Sequence, residues 1–309
     1  MEPNYLGIEI GGTKLQFVLG GPSGKVLQRW RFPVDKAQGG PGIREQIESA
    51  LPGILAGTTI SRIGVGFGGP VDWKTGQICR SHQVEGWTDF QLGTWLQSLA
   101  NLPVRVDNDA NVAALGEALH GAGGGCNPVF YLTLGSGVGG GLVADRRIYH
   151  GAKPGESEIG HLRLDRSRTP VEHRCSGWAV DARIREGIRN HPRGVLAQLV
   201  GQVHAGEARF LAAALAQKDE LAQRILGETA EDLAFGLSHV VHLFHPEIIV
   251  VGGGLSLVGE PLRAAVAEAL AKFVMEAFRP GPKVVLAALG EDAVPVGALA
   301  LAHRIPPQT

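Results

Sequence analysis

The sequence predicts an α/β protein of two lobes around a central cleft. Three observations carry this expectation. Apolar runs of strand character alternate with helix-type stretches along the whole chain, the pattern of α/β proteins. Each half opens on two apolar runs joined by glycines, Tyr5-Leu-Gly-Ile-Glu-Ile-Gly-Gly-Thr-Lys14 and Tyr131-Leu-Thr-Leu-Gly-Ser-Gly-Val-Gly-Gly-Gly141. The two openings are also alike, with Tyr5-Leu6 heading one and Tyr131-Leu132 the other, which suggests a duplicated lobe.

In the first half, apolar residues resume after the glycines at Leu15, Phe17, Val18 and Leu19, so strand, tight turn and strand are expected. Lys25 to Val34 continues the sheet, Ile43 to Leu55 reads as a helix, and Ile63 to Gly69 is a strand ending in glycine. Val104 to Asp109 is a short strand, and an Ala-rich helix follows from about Ala110 to Leu119. The second half begins with a strand at Val129 to Leu134, followed by a long helical region from roughly Val180 to His245. It closes with the apolar strand Ile248 to Val251, the turn Gly252-Gly-Gly254, a helix near Pro261 to Phe278 and a last strand at Lys283 to Ala287. The expected division is residues 1–118 for the N-terminal lobe and 119–293 for the C-terminal lobe, with a final helix, about 294–309, crossing back to the first.

The chain has 309 residues, long enough for about two domains and a sizeable core. Hydrophobic residues make up 44% and charged residues 19%, as in soluble globular proteins, and a net charge of −1 offers no electrostatic footprint for nucleic acid or an anionic membrane. Cys79, Cys126 and Cys175 are odd in number and far apart, so neither a disulfide framework nor a CxxC site is expected. No signal core precedes the first strand and no apolar stretch reaches the ~18 residues of a membrane span. A reducing cytoplasm is therefore the expected location.

Glycines at the two hairpin turns let the backbone approach an anion and aim N–H groups at it, since no Cβ intervenes. Thr13 and Ser136 add hydroxyls and Lys14 a charge. Ordinary flexible hairpins would explain either turn alone; a pair, one in each half, points to nucleotide phosphates. Gly64 to Gly69 and Gly135 to Gly140 also satisfy GxGxxG, but a dinucleotide site needs a helix to start at the glycines. Pro70-Val71-Asp72 follows the first match and a strand the second, and no GxxxxGK[ST] loop occurs.

The catalytic candidate is the run Val106-Asp107-Asn108-Asp109-Ala110-Asn111, which puts Asp109 where a strand gives way to a helix N-terminus. That position favours a charged carboxylate, and Asp and Asn are also common helix caps. Phosphoryl transfer requires a carboxylate to take the attacking hydroxyl's proton, and Asp109 fits best. Glu156-Ser-Glu158-Ile-Gly-His161 places Glu158 and His161 three residues apart, able to share one face of a turn; a solvated acidic loop is the plain alternative.

These motifs, taken in order, resemble the ROK family of sugar kinases: Glu9-Ile-Gly-Gly-Thr-Lys14, Gly68-Gly-Pro-Val-Asp72, Gly86-Trp87 before Leu92, Asn108-Asp-Ala-Asn111, Leu134-Gly-Ser-Gly-Val-Gly-Gly-Gly141, Glu158-Ile-Gly-His161 and Pro246 to Ser256. The match covers nearly the whole chain. The resemblance implies an actin-like ATPase fold with two ribonuclease-H-like lobes, ATP and Mg²⁺ in the cleft, and transfer of the γ-phosphate to a hydroxyl of a hexose or N-acetylhexosamine. It implies Asp109 as general base, with Gly68, Asn108, Glu158, His161 and Glu172 on the sugar. Glu9, Gly11, Gly12, Thr13, Lys14, Gly135, Ser136, Gly137, Gly253 and Gly254 would face ATP, Glu9 also holding Mg²⁺ through water. Homodimers or homotetramers are usual among relatives.

Two departures stand out. Glu9 replaces the family's usual Asp, keeping the charge on a stem one methylene longer. Typical members also follow Glu-x-Gly-His with a CxCGxxGC loop for structural zinc, whereas here Arg166 to Val171 runs directly into Glu172-His-Arg-Cys-Ser-Gly177. His161 and Cys175 supply two of roughly four ligands, so no structural zinc site is expected, and the sugar-site Glu172 is retained on a shorter loop. Packing and capping are expected of His239, His242 and His245, core packing of the scattered tryptophans, and solvation of the turn pair Arg146-Arg147. The alternative function is a non-catalytic sugar- or nucleotide-binding regulator. A DNA-binding repressor is not expected, because family regulators carry a helix-turn-helix domain before the first turn and four residues precede Tyr5 here.

Overall fold

The computed structural model describes residues 3–80, 84–155 and 157–306. The chain divides into two compact units, Met1–Gly125 with Gly141–Ser157 and Leu289–Thr309, and Cys126–Gly140 with Glu158–Ala288.

In the first unit, β1 (Tyr5–Ile10) and β2 (Lys14–Gly20) form the expected hairpin, with Glu9 opposite Gln16, and β3 (Val26–Pro33) adds an antiparallel edge. Helix α1 (Gly39–Ala56) buries Ile43, Ile47, Leu51 and Ile54, a near-heptad stripe that fixes one face against the sheet. After it come β4 (Arg62–Phe67), the small pair β5 (Val71–Asp72) and β6 (Gln77–Ile78), α2 (Leu92–Ala100) and β7 (Val104–Asn108). The sheet order is β3-β2-β1-β4-β7, and β4 runs parallel to both β1 and β7 because α1 and α2 serve as crossovers. Helix α3 (Asp109–His120) follows without a loop.

The second sheet has β8 (Val129–Leu134), β9 (Val138–Ala144) and β10 (Arg147–Ile148), then β11 (Ile248–Gly252) and β12 (Lys283–Leu286), in the order β10-β9-β8-β11-β12. β11 is parallel to β8 and β12, and its five residues are all buried. No helix starts at either GxGxxG match, as expected: β5 follows the first and β9 runs through the second.

The region from Val180 to His245 is helical, as expected, but not as one helix. It follows α4 (Glu172–Cys175) and breaks into α5 (Gly177–Asn190), α6 (Val195–Val200), α7 (Leu211–Ala216) and α8 (Glu220–Phe244). Gly201, Gly206 and Lys218 take left-handed backbone and Pro192 lacks a donor, so no single helix can pass. Buried side chains set the connecting path: Asp181 accepts from the Gly206 and Ala208 amides at 3.1 and 2.7 Å, and Arg185 meets the fully buried Glu207 at 2.7 Å. The helix expected near Pro261 to Phe278 is α9 (Glu260–Phe273) followed by a separate 3-10 turn at Glu276–Phe278.

The last helix, α10 (Ala293–His303), is buried nearly all round and packs on α3, β1 and β4 of the first unit. None of the described helices is long and apolar enough to cross a membrane. His239 bonds the Phe235 carbonyl, His242 accepts from the Met275 amide at 3.0 Å, and His245 caps α8 and stacks on Phe278, which are the expected packing and capping roles. Trp87 is core, edge-on to Phe67 at 5.2 Å, whereas Trp178 is 66% exposed and departs from the core role expected of it.

Candidate active site

Parallel strands whose ends are in register bring their following loops to one edge, and the first unit uses this to gather its motifs. Ile10 is opposite Phe67, and Phe67 opposite Asn108, so Gly11-Gly12, Gly68-Gly69 and Asp109 leave the sheet side by side. Asn108 is the N-cap of α3: its Oδ1 accepts from the amides of Ala110 and Asn111 at 2.8 and 3.2 Å, while its Nδ2 donates to the Gly69 carbonyl at 3.2 Å. Asp109 is the first residue of α3, half-buried, with Oδ1 accepting from the Ala110 amide at 2.8 Å. A Cβ placed on Gly68 would meet Asp109 Oδ2 at 3.4 Å, so the two residues adjoin.

Asp107, though neighbouring in sequence, is 2% exposed and fully engaged. Its Oδ1 accepts from the Asn108 amide and from Asn111 Nδ2 at 2.9 and 3.1 Å, and its Oδ2 bonds His150 Nε2 at 2.6 Å. His150 in turn stacks on Trp73 at 4.2 Å. Lys153 pairs with Asp72, and that hydrogen bond holds the Asp72 carboxyl below the usual carboxylate range. His150 and Lys153 thus tie the segment preceding Glu158 to the first unit, a role that no local pattern in the sequence signals. Glu156 lies outside the described residues.

At the first glycine turn, the Gly11 amide donates to the Lys14 carbonyl at 3.0 Å and closes a loop whose tip, Thr13, is exposed. Glu9 is 9% exposed; its Oε1 is 3.3 Å from Lys14 Nζ and its Oε2 accepts from Gln16, whose own Oε1 accepts from Arg29 and Arg31. Burial pushes the Glu9 carboxyl above its ordinary range, opposed by Lys14 and Gln16. With both oxygens already held by protein donors, Glu9 fits a Mg²⁺ ion contacted through water better than one bound directly. Gln16 could have been anticipated only from the hairpin register.

The second unit gathers the other set in the same way. Gly252 is opposite Thr133, so the turns at Gly135–Gly137 and Gly252–Gly254 leave adjacent parallel strands together. Gly253 has φ +81°, and a Cβ there would lie 2.6 Å from the Leu134 backbone, so only glycine fits. The α4–α5 junction grips the first of these turns: Glu172 Oε2 accepts from the Val138 amide at 2.9 Å, and the Gly177 amide donates to the Gly135 carbonyl at 2.8 Å. Glu158 and His161 flank a 3-10 turn, both exposed, 3.9 Å apart. Gly160 seats that turn on Val138, whose carbonyl lies 2.2 Å from where a Cβ would stand. Val138 therefore joins the turn bearing Glu158 and His161 to the glycine turn held by Glu172. Ser136 and Gly254 are exposed at the tips.

Cys175 turns away from any ligand role. It is fully buried, its thiol faces the Thr229 carbonyl, and burial pushes its pKa up to about 12. Among the described residues no group of three or more His, Cys, Asp or Glu could hold a metal ion.

Known proteins share this arrangement of elements. The family model for the ROK family matches residues 5–305. A glucokinase of Halalkalibacterium halodurans is 32% identical over 307 residues, covering 95% of this chain and 93% of its own, and a glucokinase of Thermotoga maritima is 28% identical over 304 residues, covering 96% of each. A crystal structure of a ROK family glucokinase from Streptomyces griseus in complex with glucose and AMPPNP superposes with a TM-score of 0.84 at 29% identity, covering 98% of this chain and 100% of that one.

Proposed function

The chain belongs to the ROK family and has its two-lobe actin-like ATPase fold, and on that premise we propose that it is an ATP-dependent kinase transferring the γ-phosphate to a hydroxyl of a hexose or N-acetylhexosamine. The observation that carries the proposal is Asp109, a half-buried carboxylate at the N-terminus of α3 beside Gly68, on the sheet edge that also bears Gly11-Gly12. Similarity to glucokinases supports a sugar as acceptor.

In this reading Asp109 accepts the proton of the attacking hydroxyl as the new O–P bond forms, the bond to the bridging oxygen breaks, and ADP leaves with that electron pair. The place of Asp109 at the N-terminus of α3 sets its carboxylate against the positive end of the helix dipole. Asp107 and Asp72 are poor rivals, the first spent on Asn108, Asn111 and His150, the second on Lys153. Asn108 has one amide hydrogen committed to Gly69 and a second left for a sugar hydroxyl, and Glu158 and His161 supply an acceptor and a donor pair for others. Backbone amides of Gly12, Thr13, Ser136, Gly137, Gly253 and Gly254, with Lys14, take the phosphates, while Gly11 and Gly135, whose amides close the two turns onto the Lys14 and Gly137 carbonyls, face ATP without a Cβ in the way. Mg²⁺, when bound with ATP, neutralises charge on the β- and γ-oxygens; Glu9 is the residue that would hold it, through water. Glu172 acts on the sugar side from α4, where its Oε2 holds the Val138 amide beside the glycine turn.

The test is ADP release from ATP and Mg²⁺ across a panel of hexoses and N-acetylhexosamines, with Asp109→Asn alongside. The expected result is sugar-dependent turnover that falls ~10²- to 10⁴-fold in the variant while ATP binding is kept. Turnover unchanged in Asp109→Asn would remove it as the base. Absence of turnover with every sugar, from a folded protein that binds ATP and sugar, would favour the regulatory reading.

A further inference from the structure

Away from the candidate active site, the first unit has a cavity of about 340 Å³ between the C-terminal ends of α3 and α10. His120 ends α3, His303 ends α10, Arg304 caps α10, and Arg146 comes from the turn between β9 and β10; among the described residues no carboxylate lines the space. Leu119 and Ala300 form its apolar wall.

Part of this charge has an ordinary explanation. Basic side chains at helix C-termini meet the last carbonyls and the negative end of the dipole, which accounts for His120, His303 and Arg304. Arg146 is different. It lies on no helix, and with Asp145 it occupies a turn in which both residues have positive φ, 50° and 62°. The second position of such a turn favours glycine, and an arginine there is strained. That turn adds a guanidinium beside Arg304, His120 and His303. The crowding is felt: burial and then Arg146, Arg147 and Arg105 hold the Arg304 guanidinium below its usual range, and burial, Arg146 and His303 do the same to His120. The Tyr5 hydroxyl fixes His303 through Nδ1 at 2.9 Å, so Nε2 is the ring nitrogen it does not engage.

We propose that this cavity is a binding site for a small phosphate-bearing anion, held by Arg146 and Arg304 with His120 and His303 as further donors. Two guanidinium groups match the oxygens of a phosphate monoester or of inorganic phosphate, and a dianion relieves the repulsion between Arg146 and Arg304. The volume admits a phosphate together with a small organic group. The site is separate from Asp109, which begins the helix that His120 ends, and it does not depend on the kinase reading.

Isothermal titration with glucose 6-phosphate, inorganic phosphate and glucose as the uncharged control tests this, using the full chain, Arg146→Gly, Arg304→Gln and Asp109→Asn. The expected result is saturable binding of one or both phosphates that weakens about tenfold or more in each arginine variant and persists in Asp109→Asn. Stronger binding of glucose 6-phosphate than of inorganic phosphate identifies a phosphate ester as the ligand, and the reverse order the free anion; glucose is expected to give no heat that the arginine variants alter. Because glycine is unstrained at that turn position, Arg146→Gly should melt above the parent without ligand, so weakened binding there cannot be ascribed to unfolding. Absence of saturable binding by either phosphate, or binding unchanged in both arginine variants, would overturn the proposal.

Discussion

Gly253→Ala isolates the geometry on which the second unit's glycine turns depend. The backbone at Gly253 has φ +81°, and the added methyl would sit 2.6 Å from the Leu134 N and C atoms. Left-handed backbone costs an L-residue about 1–2 kcal/mol, and forcing a methyl into packed backbone costs about 1–3 kcal/mol more. The total of about 2–5 kcal/mol corresponds to a fall in Tm of about 4–20 °C for a domain of ordinary size. Gly254→Ala is the control, because a Cβ there meets nothing within 4 Å and the residue is exposed. If both glycines face the nucleotide, both variants should bind ATP more weakly, while only Gly253→Ala should melt early. Thermal melts of the ligand-free proteins, with ATP titrations beside them, read the two effects separately. Equal Tm shifts in the two variants, or none in Gly253→Ala, would refute the close-approach argument.

Removal of the Glu172 carboxylate in Glu172→Ala leaves the Val138 amide, 2.9 Å away, without its charged acceptor. A charge-assisted bond of about 1.5–3 kcal/mol, lost beside the turn proposed to take ATP, predicts a ~10- to 100-fold loss in kcat/KM for ATP that Glu172→Gln largely restores, while the sugar contact proposed for Glu172 predicts a raised KM for the sugar in Glu172→Ala; steady-state kinetics with each substrate varied in turn decide it. His150→Ala strips Asp107, 2% exposed, of its 2.6 Å partner, and a loss of about 3 kcal/mol in urea unfolding is expected. His150→Phe should regain the stacking on Trp73 but not the bond, so a variant as stable as the parent would show that the bond contributes little. Glu9 governs a pH effect: its carboxyl titrates above its ordinary 4.5 because burial disfavours the charge, so its contribution to stability is fully present below 4.5 and is lost as pH rises through the folded value. Glu9→Gln, which does not titrate, should therefore gain on the parent in urea melts as pH rises from 4 towards neutrality; a constant gap would contradict the burial argument.

The sequence alone determined those features whose causes are local. The glycine turns after Ile10, Phe67 and Leu134 are legible because apolar strand runs end where glycines begin, and the placing of Asn108 and Asp109 at a strand-to-helix junction is legible because capping is settled within three or four residues. The order of motifs was enough to place the chain in its family. The tertiary structure decided everything that depends on register or on partners far along the chain. Gly11, Gly68 and Asp109 adjoin only because β1, β4 and β7 align end to end. Asp107 finds His150 43 residues away, Asp72 finds Lys153 81 residues away, and Glu172 meets Val138 34 residues away. The break-up of the helical region after Val180 belongs to this second class, since the residues between Asn190 and Glu220 follow the buried Asp181, Glu207 and Asp219. A one-dimensional pattern records what a residue prefers with its neighbours in sequence. Which of two nearby carboxylates is buried against a histidine, and which lies half-buried at the end of the sheet, is fixed by the groups that folding brings against it.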